Sequence, residues 1–297
     1  MNAGMKLPGA VKPMRTWRGQ GGIDIAGDLW GDPAAPLVIL QHGGGQTRHA
    51  WKGAGERLGA AGYHAVALDA RGHGDSQWAS DGRYDQDAMI ADLKCVIAAL
   101  GGRKPILVGA SMGGANSLVA AGEGTIDATA VVLVDVAARI EREGAERILA
   151  FMTRKPEGFD SLDEVMEAIA SYQPHRKRPR NLEGLAKNLR LDPSGKFRWH
   201  WDPKFAMSFK ELEARQRRYE AAARQLRVPT LVVRGGISDV LSEEGLRHFQ
   251  AICPQAEVAN IADAGHMIAG DRNDIFSDSV ISFLQRTVPP LPAQVIT

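Results

Sequence analysis

A chain of 297 residues that is 44% hydrophobic can bury a large core, so one large α/β domain, alone or with an insertion, is expected rather than disorder. Lys plus Arg (36) nearly cancel Asp plus Glu (35), which excludes a whole-molecule field favouring nucleic acid or an anionic membrane and makes a small, roughly neutral ligand the expected partner. Cys95 and Cys253 lie far apart and in no metal-ligand spacing. With no signal-like apolar run at the start and no stretch of transmembrane length, a soluble, cytoplasmic protein with reduced thiols is expected; oligomeric state is not encoded legibly.

In chain order, a loose N-terminal segment leads to two strands, near 14–17 and 23–30, joined by a glycine turn. Leu37-Val38-Ile39-Leu40 reads as a strand buried on both faces and runs into His42-Gly43-Gly44-Gly45. A helix over 50–61 follows, then a strand over 63–68 that ends in Asp69-Ala70-Arg71-Gly72-His73-Gly74-Asp75-Ser76. Residues 85–100 form a helix with Met89, Ile90, Leu93, Val96 and Ile97 on one face. Pro105-Ile106-Leu107-Val108 is the next strand, and Val131-Val132-Leu133-Val134 the one after, ending at Asp135. Strands alternating with helices predict a mostly parallel, doubly wound sheet.

The alternation stops until Thr230-Leu231-Val232-Val233. The interval is rich in charge and helix formers and punctuated by prolines, which predicts a helical cap insertion over 137–227 between core segments 1–136 and 228–297. Within it, the basic run at 175–180 reads as a solvated loop. Phe197, Trp199, Trp201, Phe205, Met207 and Phe209 read as cap core, some of whose rings could line an apolar substrate site. A helix over 246–252, a strand over 257–261 ending in Asp263-Ala264-Gly265-His266, and a helix over 271–287 close the chain.

The chemistry centres on Gly109-Ala110-Ser111-Met112-Gly113-Gly114, which reads as strand, sharp turn, helix. A serine hydroxyl is a poor nucleophile alone, so the turn requires a histidine to take its proton and an acid to orient that histidine. In a parallel sheet the functional groups gather at the carboxyl ends of strands. Ser111, Asp239 and His266 each follow a predicted strand and so converge on one edge.

With His-Gly-Gly after one strand and Asp-x-Arg-Gly-His-Gly-x-Ser after the next, the chain resembles the α/β-hydrolase family, in particular its cap-bearing members, over about residues 38–284. The resemblance implies Ser111 as nucleophile, His266 as general base then acid, Asp239 as the group that fixes the imidazole, and the amides of Gly44 and Met112 as the oxyanion hole. Asp135, which also ends a strand, is the rival for the acid. It further implies a cofactor-independent serine hydrolase of a small to medium ester; the same residues could serve carbon–carbon, lactone or peracid chemistry, or survive in a non-catalytic ligand receptor. His42 and His73 read as braces for turns, and His49, His64, His175, His200 and His248 as packed or solvated. No histidine or carboxylate pair has metal spacing and no glycine loop has a nucleotide-binding pattern, so neither metal nor nucleotide cofactor is expected.

Overall fold

The computed structural model describes residues 4–172, 183–206, 212–262, 264–266, 268 and 273–290. The strands are β1 (Met5–Lys6), β2 (Arg15–Arg18), β3 (Asp24–Trp30), β4 (Leu37–Gln41), β5 (His64–Leu68), β6 (Ile106–Ala110), β7 (Ala130–Val134), β8 (Leu189–Leu191), β9 (Phe197–Trp199), β10 (Thr230–Gly235) and β11 (Ala256–Ile261). The helices are α1 (Lys52–Ala60), α2 (Gln86–Ala99), α3 (Met112–Gly122), α4 (Arg142–Thr153), α5 (Leu162–Tyr172), α6 (Glu183–Ala186), α7 (Pro203–Ala206), α8 (Leu212–Gln225), α9 (Glu243–Ile252) and α10 (Asn273–Thr287). No described helix is long and apolar enough to cross a membrane.

Eight strands form one sheet in the order β2-β3-β5-β4-β6-β7-β10-β11, with β2–β3 and β3–β5 antiparallel and every other pair parallel. Alternation along each strand splits the core into two layers. Leu37, Ile39, Leu107, Val131 and Leu133 belong to the layer covered by α2, α3, α8 and α9, whereas Val38, Leu40, Val108, Val132 and Val134 face α1 and α10. Burial on both faces is why these strands read as unbroken apolar runs. Register aligns Gln41 with Gly109, Ala110 with Val134, and Val134 with Val233, so the loops after β4, β6, β7 and β10 emerge side by side.

Between β7 and β10 the chain is mainly helical, but the expectation of helices alone, and of a loose N-terminal segment, is corrected here. β8 and β9 form an antiparallel hairpin, and β1 pairs with β8, Met5 opposite Leu191. Two- and three-residue strands are too short to leave a period in the sequence. The hairpin turn is held by Asp192, whose Oδ1 accepts from the amides of Ser194 (2.8 Å) and Lys196 (3.0 Å).

An ionic cluster joins this hairpin to the main sheet. Arg48 contacts Asp69 (2.6 Å), Asp75 (3.0 Å) and Asp28 (3.0 Å), while Arg190 of β8 and Lys6 of β1 both reach Asp75, at 2.9 and 2.8 Å. Three carboxylates meet three cations, and all but Lys6 are buried. Charges so placed are tolerable only because each is paired.

Candidate active site

Ser111 sits between β6 and α3 with φ 47° and ψ −111°, a conformation that L residues rarely adopt. Its neighbours make the turn possible: a Cβ on Gly109 would come within 2.2 Å of the Gly113 carbonyl carbon, and one on Gly113 within 2.4 Å of the Gln41 oxygen. The Ser111 amide donates to Val134 O at 3.0 Å, tying the turn to the end of β7. Its hydroxyl makes no capping hydrogen bond to α3.

His266 Nδ1 lies 2.7 Å from Asp135 Oδ2. The buried Asp135 carboxylate also accepts the Gly235 amide at 3.0 Å and a hydrogen bond from the Ser238 hydroxyl. The partnership fixes the His266 tautomer with its proton on Nδ1, which leaves Nε2 as the basic nitrogen. This corrects the acid assigned from the sequence. Asp239 pairs instead with Arg147 of α4 at 2.7 Å, and its side chain is 38% exposed. The reason is local backbone: the chain leaves β7 through Asp135, which has a left-handed φ of 51°. The chain after β10 makes a further turn through 236–238 and carries Asp239 out against α4, close enough that a Cβ on Gly144 would meet the Asp239 carbonyl at 2.4 Å.

On the other side of Ser111, three buried histidines hold the glycine loop. His42 Nε2 accepts the Ala70 amide at 2.9 Å, so Nδ1 carries the proton and donates to Gly43 O at 2.7 Å. The peptide is trans, so holding the Gly43 carbonyl aims the Gly44 N–H the opposite way. The Gly43 amide is taken by Gln46 Oε1 at 3.0 Å and the Gly45 amide by His73 Nε2 at 3.2 Å. Among the described residues no acceptor meets the Gly44 amide. Met112, at the first position of α3, has no acceptor a turn behind it for its own N–H. His200, following β9, accepts the Gly74 amide on Nδ1 at 2.7 Å, and its Nε2 donates to Gly45 O at 3.3 Å. The sequence reading of His200 as packed or solvated holds in that it is packed, but nothing in its sequence context signals this contact.

Burial lowers the basicity of all three rings. His73 is pushed down to about 3, chiefly by desolvation and then by the neighbouring His42, and His200 falls well below the ordinary histidine range for the same reasons, with His73 as its neighbour. Desolvation outweighs the pull of Asp69 at His42. Only a neutral imidazole can accept a backbone N–H bond, so burial that disfavours the protonated rings favours this bracing.

Residues 36–272 match the family described as alpha/beta hydrolase fold. The chain belongs to the α/β-hydrolase family. It is 28% identical over 255 residues to an esterase of Mycobacterium tuberculosis, covering 82% of this chain and 80% of that protein. It is 26% identical over 268 residues to a mouse sn-1-specific diacylglycerol lipase, with 86% and 83% covered. The crystal structure of E-2-(acetamidomethylene)succinate hydrolase matches with a TM-score of 0.77 at 23% identity over 91% of this chain and 98% of that one, which shows a shared fold.

In this α/β hydrolase, Gly44, Ser111, Met112 and His266 open onto one cavity of about 620 Å³. Its far wall comes from the segment between β7 and β10. There Phe151 stacks on Tyr172 with ring centres 4.3 Å apart, and Trp199 on Trp201 with centres 5.0 Å apart. Among the described residues no carboxylate lines the cavity. The basic run at 175–180, Met207 and Phe209 lie outside the described residues. Cys253 is buried, which pushes its thiol up to about 11 and fits an inert side chain.

Proposed function

We propose that this chain is a serine hydrolase that cleaves carboxylic esters through an acyl-enzyme on Ser111. The carrying observation is the 2.7 Å contact between His266 Nδ1 and Asp135, made where His266 and Ser111 line the same cavity. His266 Nε2 takes the Ser111 proton as Oγ bonds to the ester carbonyl carbon, and Asp135 stabilises the imidazolium. The negative charge moves to the carbonyl oxygen, where the Gly44 and Met112 amides stabilise it. His266 returns the proton to the departing alkoxide, and water then repeats the sequence to release the acid.

The segment between β7 and β10 acts as the cap. Its stacked rings suit an apolar or aryl group on the substrate, and a cationic group would find no countercharge on the described wall. Relatives named as an esterase and a diacylglycerol lipase support ester cleavage.

A fluorophosphonate should add one phosphonyl group to the folded protein, seen by intact mass and absent in Ser111→Ala. Unchanged mass in the wild type defeats the acyl-enzyme. Turnover of aryl esters that survives Ser111→Ala defeats the catalytic assignment. Lactones and vinylogous diketones in the same assay separate ester cleavage from lactone and carbon–carbon cleavage.

A further inference from the structure

The acid side of the site contains a group that the triad chemistry above leaves unused. Ser238 Oγ accepts the Val240 amide at 3.1 Å and the Leu241 amide at 3.3 Å. A hydroxyl has two acceptor positions and one proton. With both acceptor positions filled by backbone, the proton has one direction left, towards Asp135 Oδ2. That is the same oxygen that receives His266 Nδ1–H, while Oδ1 is held by Gly235 N–H at 3.0 Å.

We infer that Ser238 is a positioning residue for catalysis, setting the orientation of the Asp135 carboxylate and through it the His266 ring; the inference rests on the serine-hydrolase reading. Two features separate this role from simple turn stability. The hydroxyl orientation is forced rather than free. The turn that presents it is also anchored independently of Asp135, by Ser238 N–H to Gly235 O (3.1 Å), Ile237 N–H to Ala264 O (3.1 Å) and Glu141 N–H to Val240 O (3.0 Å). A carboxylate held from both oxygens cannot swing when the imidazole becomes charged, so no reorganisation is needed at the moment of reaction. Ser238 does not line the cavity, so it acts on turnover and not on substrate binding.

The test compares Ser238→Ala, Ser238→Thr and Ser111→Ala in the full chain, with p-nitrophenyl butyrate as probe. Losing a hydrogen bond to a charged group predicts a kcat about tenfold lower in Ser238→Ala with KM within twofold, and recovery to within threefold in Ser238→Thr. The downfield Nδ1 proton of His266 in the NMR spectrum should move or broaden in Ser238→Ala and return in Ser238→Thr. Thermal unfolding of each variant accompanies the kinetics. Unchanged kcat and an unmoved His266 proton in Ser238→Ala, with Ser111→Ala inactive, overturn the positioning role alone. If Ser238→Ala does not fold, a Ser238→Thr variant that folds yet loses kcat tenfold while its His266 proton stays unmoved also overturns it. If Ser111→Ala stays active, the failure lies with the serine mechanism itself.

Discussion

The two sides of Ser111 are built by opposite electrostatic means. On the acid side a buried carboxylate, Asp135, is surrounded by three donors: an imidazole, a hydroxyl and a backbone amide. On the oxyanion side three buried histidines are held neutral, and each accepts a backbone N–H. In the proposed mechanism one side stabilises a fixed negative charge beside the proton carrier, and the other aims a neutral amide at the place where negative charge develops. Exchanging the strategies would fail on both sides: a protonated His42 could not accept the Ala70 amide, and a neutral acid could not stabilise an imidazolium.

The largest test of this contrast removes the charge on the acid side. Asp135→Asn keeps the shape but reverses the hydrogen-bond preference at His266 Nδ1, and kcat for an aryl ester should fall by about 10⁴. A loss below tenfold would mean that Asp135 orients nothing. On the opposite side, His42→Ala frees the Gly43 carbonyl and with it the direction of the Gly44 amide. A misaimed oxyanion donor predicts a kcat lower by about 10²–10³, with a trifluoromethyl ketone losing affinity in parallel and KM nearly unchanged. Tight ketone binding in His42→Ala would break the link between the histidine and the oxyanion.

The neutral histidines also give the oxyanion side a pH dependence in stability. His73 has a folded value of about 3 against an ordinary 6.5, so between those values the unfolded chain binds a proton that the folded chain does not. Its contribution is intact above about pH 6.5 and is lost as pH falls towards 3. Going from pH 7 to pH 5 should therefore cost on the order of 2 kcal/mol from His73, read as a lower urea midpoint. A flat midpoint over that interval would show that His73 takes up its proton in the fold as it does in the unfolded chain.

Legibility differed between the two sides for a physical reason. The family resemblance named Gly44 and Met112 for their backbone amides, and both residues line the cavity with Ser111, a location that follows from the strand–loop–helix order; their oxyanion role is part of the proposed function. The sheet and its buried strands were legible for a similar reason, since each is a continuous apolar run. Asp135 and Asp239 both follow such runs, and choosing between them depends on where a side chain points after the strand ends. That direction is set by a positive φ at Asp135 and by the extra turn through Ser238, neither of which leaves a compositional trace. The β8–β9 hairpin was hidden because its three-residue strands are too short to leave a period, and the β1–β8 pairing and the His200 contact because each joins residues more than a hundred apart, such as Gly74 and His200.

The smallest expected effect is the most diagnostic of the two carboxylates. Asp239 stands one residue from Ser238 and four from Gly235, yet it faces Arg147, whose side chain is 57% exposed, at the junction with α4. An exposed ion pair of this kind contributes roughly 0–1 kcal/mol and is screened by salt. Asp239→Asn should therefore leave kcat within about twofold and lower the urea midpoint only slightly, with the difference vanishing as salt is raised, since screening already weakens the pair in the wild type. If Asp239→Asn instead lost activity on the scale expected of Asp135→Asn, the carboxylate after β10 would have to reach His266 in the working enzyme. The acid side would then have two states, with the Arg147 pair as the resting one. An inactive Asp135→Asn beside an active Asp239→Asn excludes that exchange and leaves Asp135, not Asp239, as the carboxylate acting on His266.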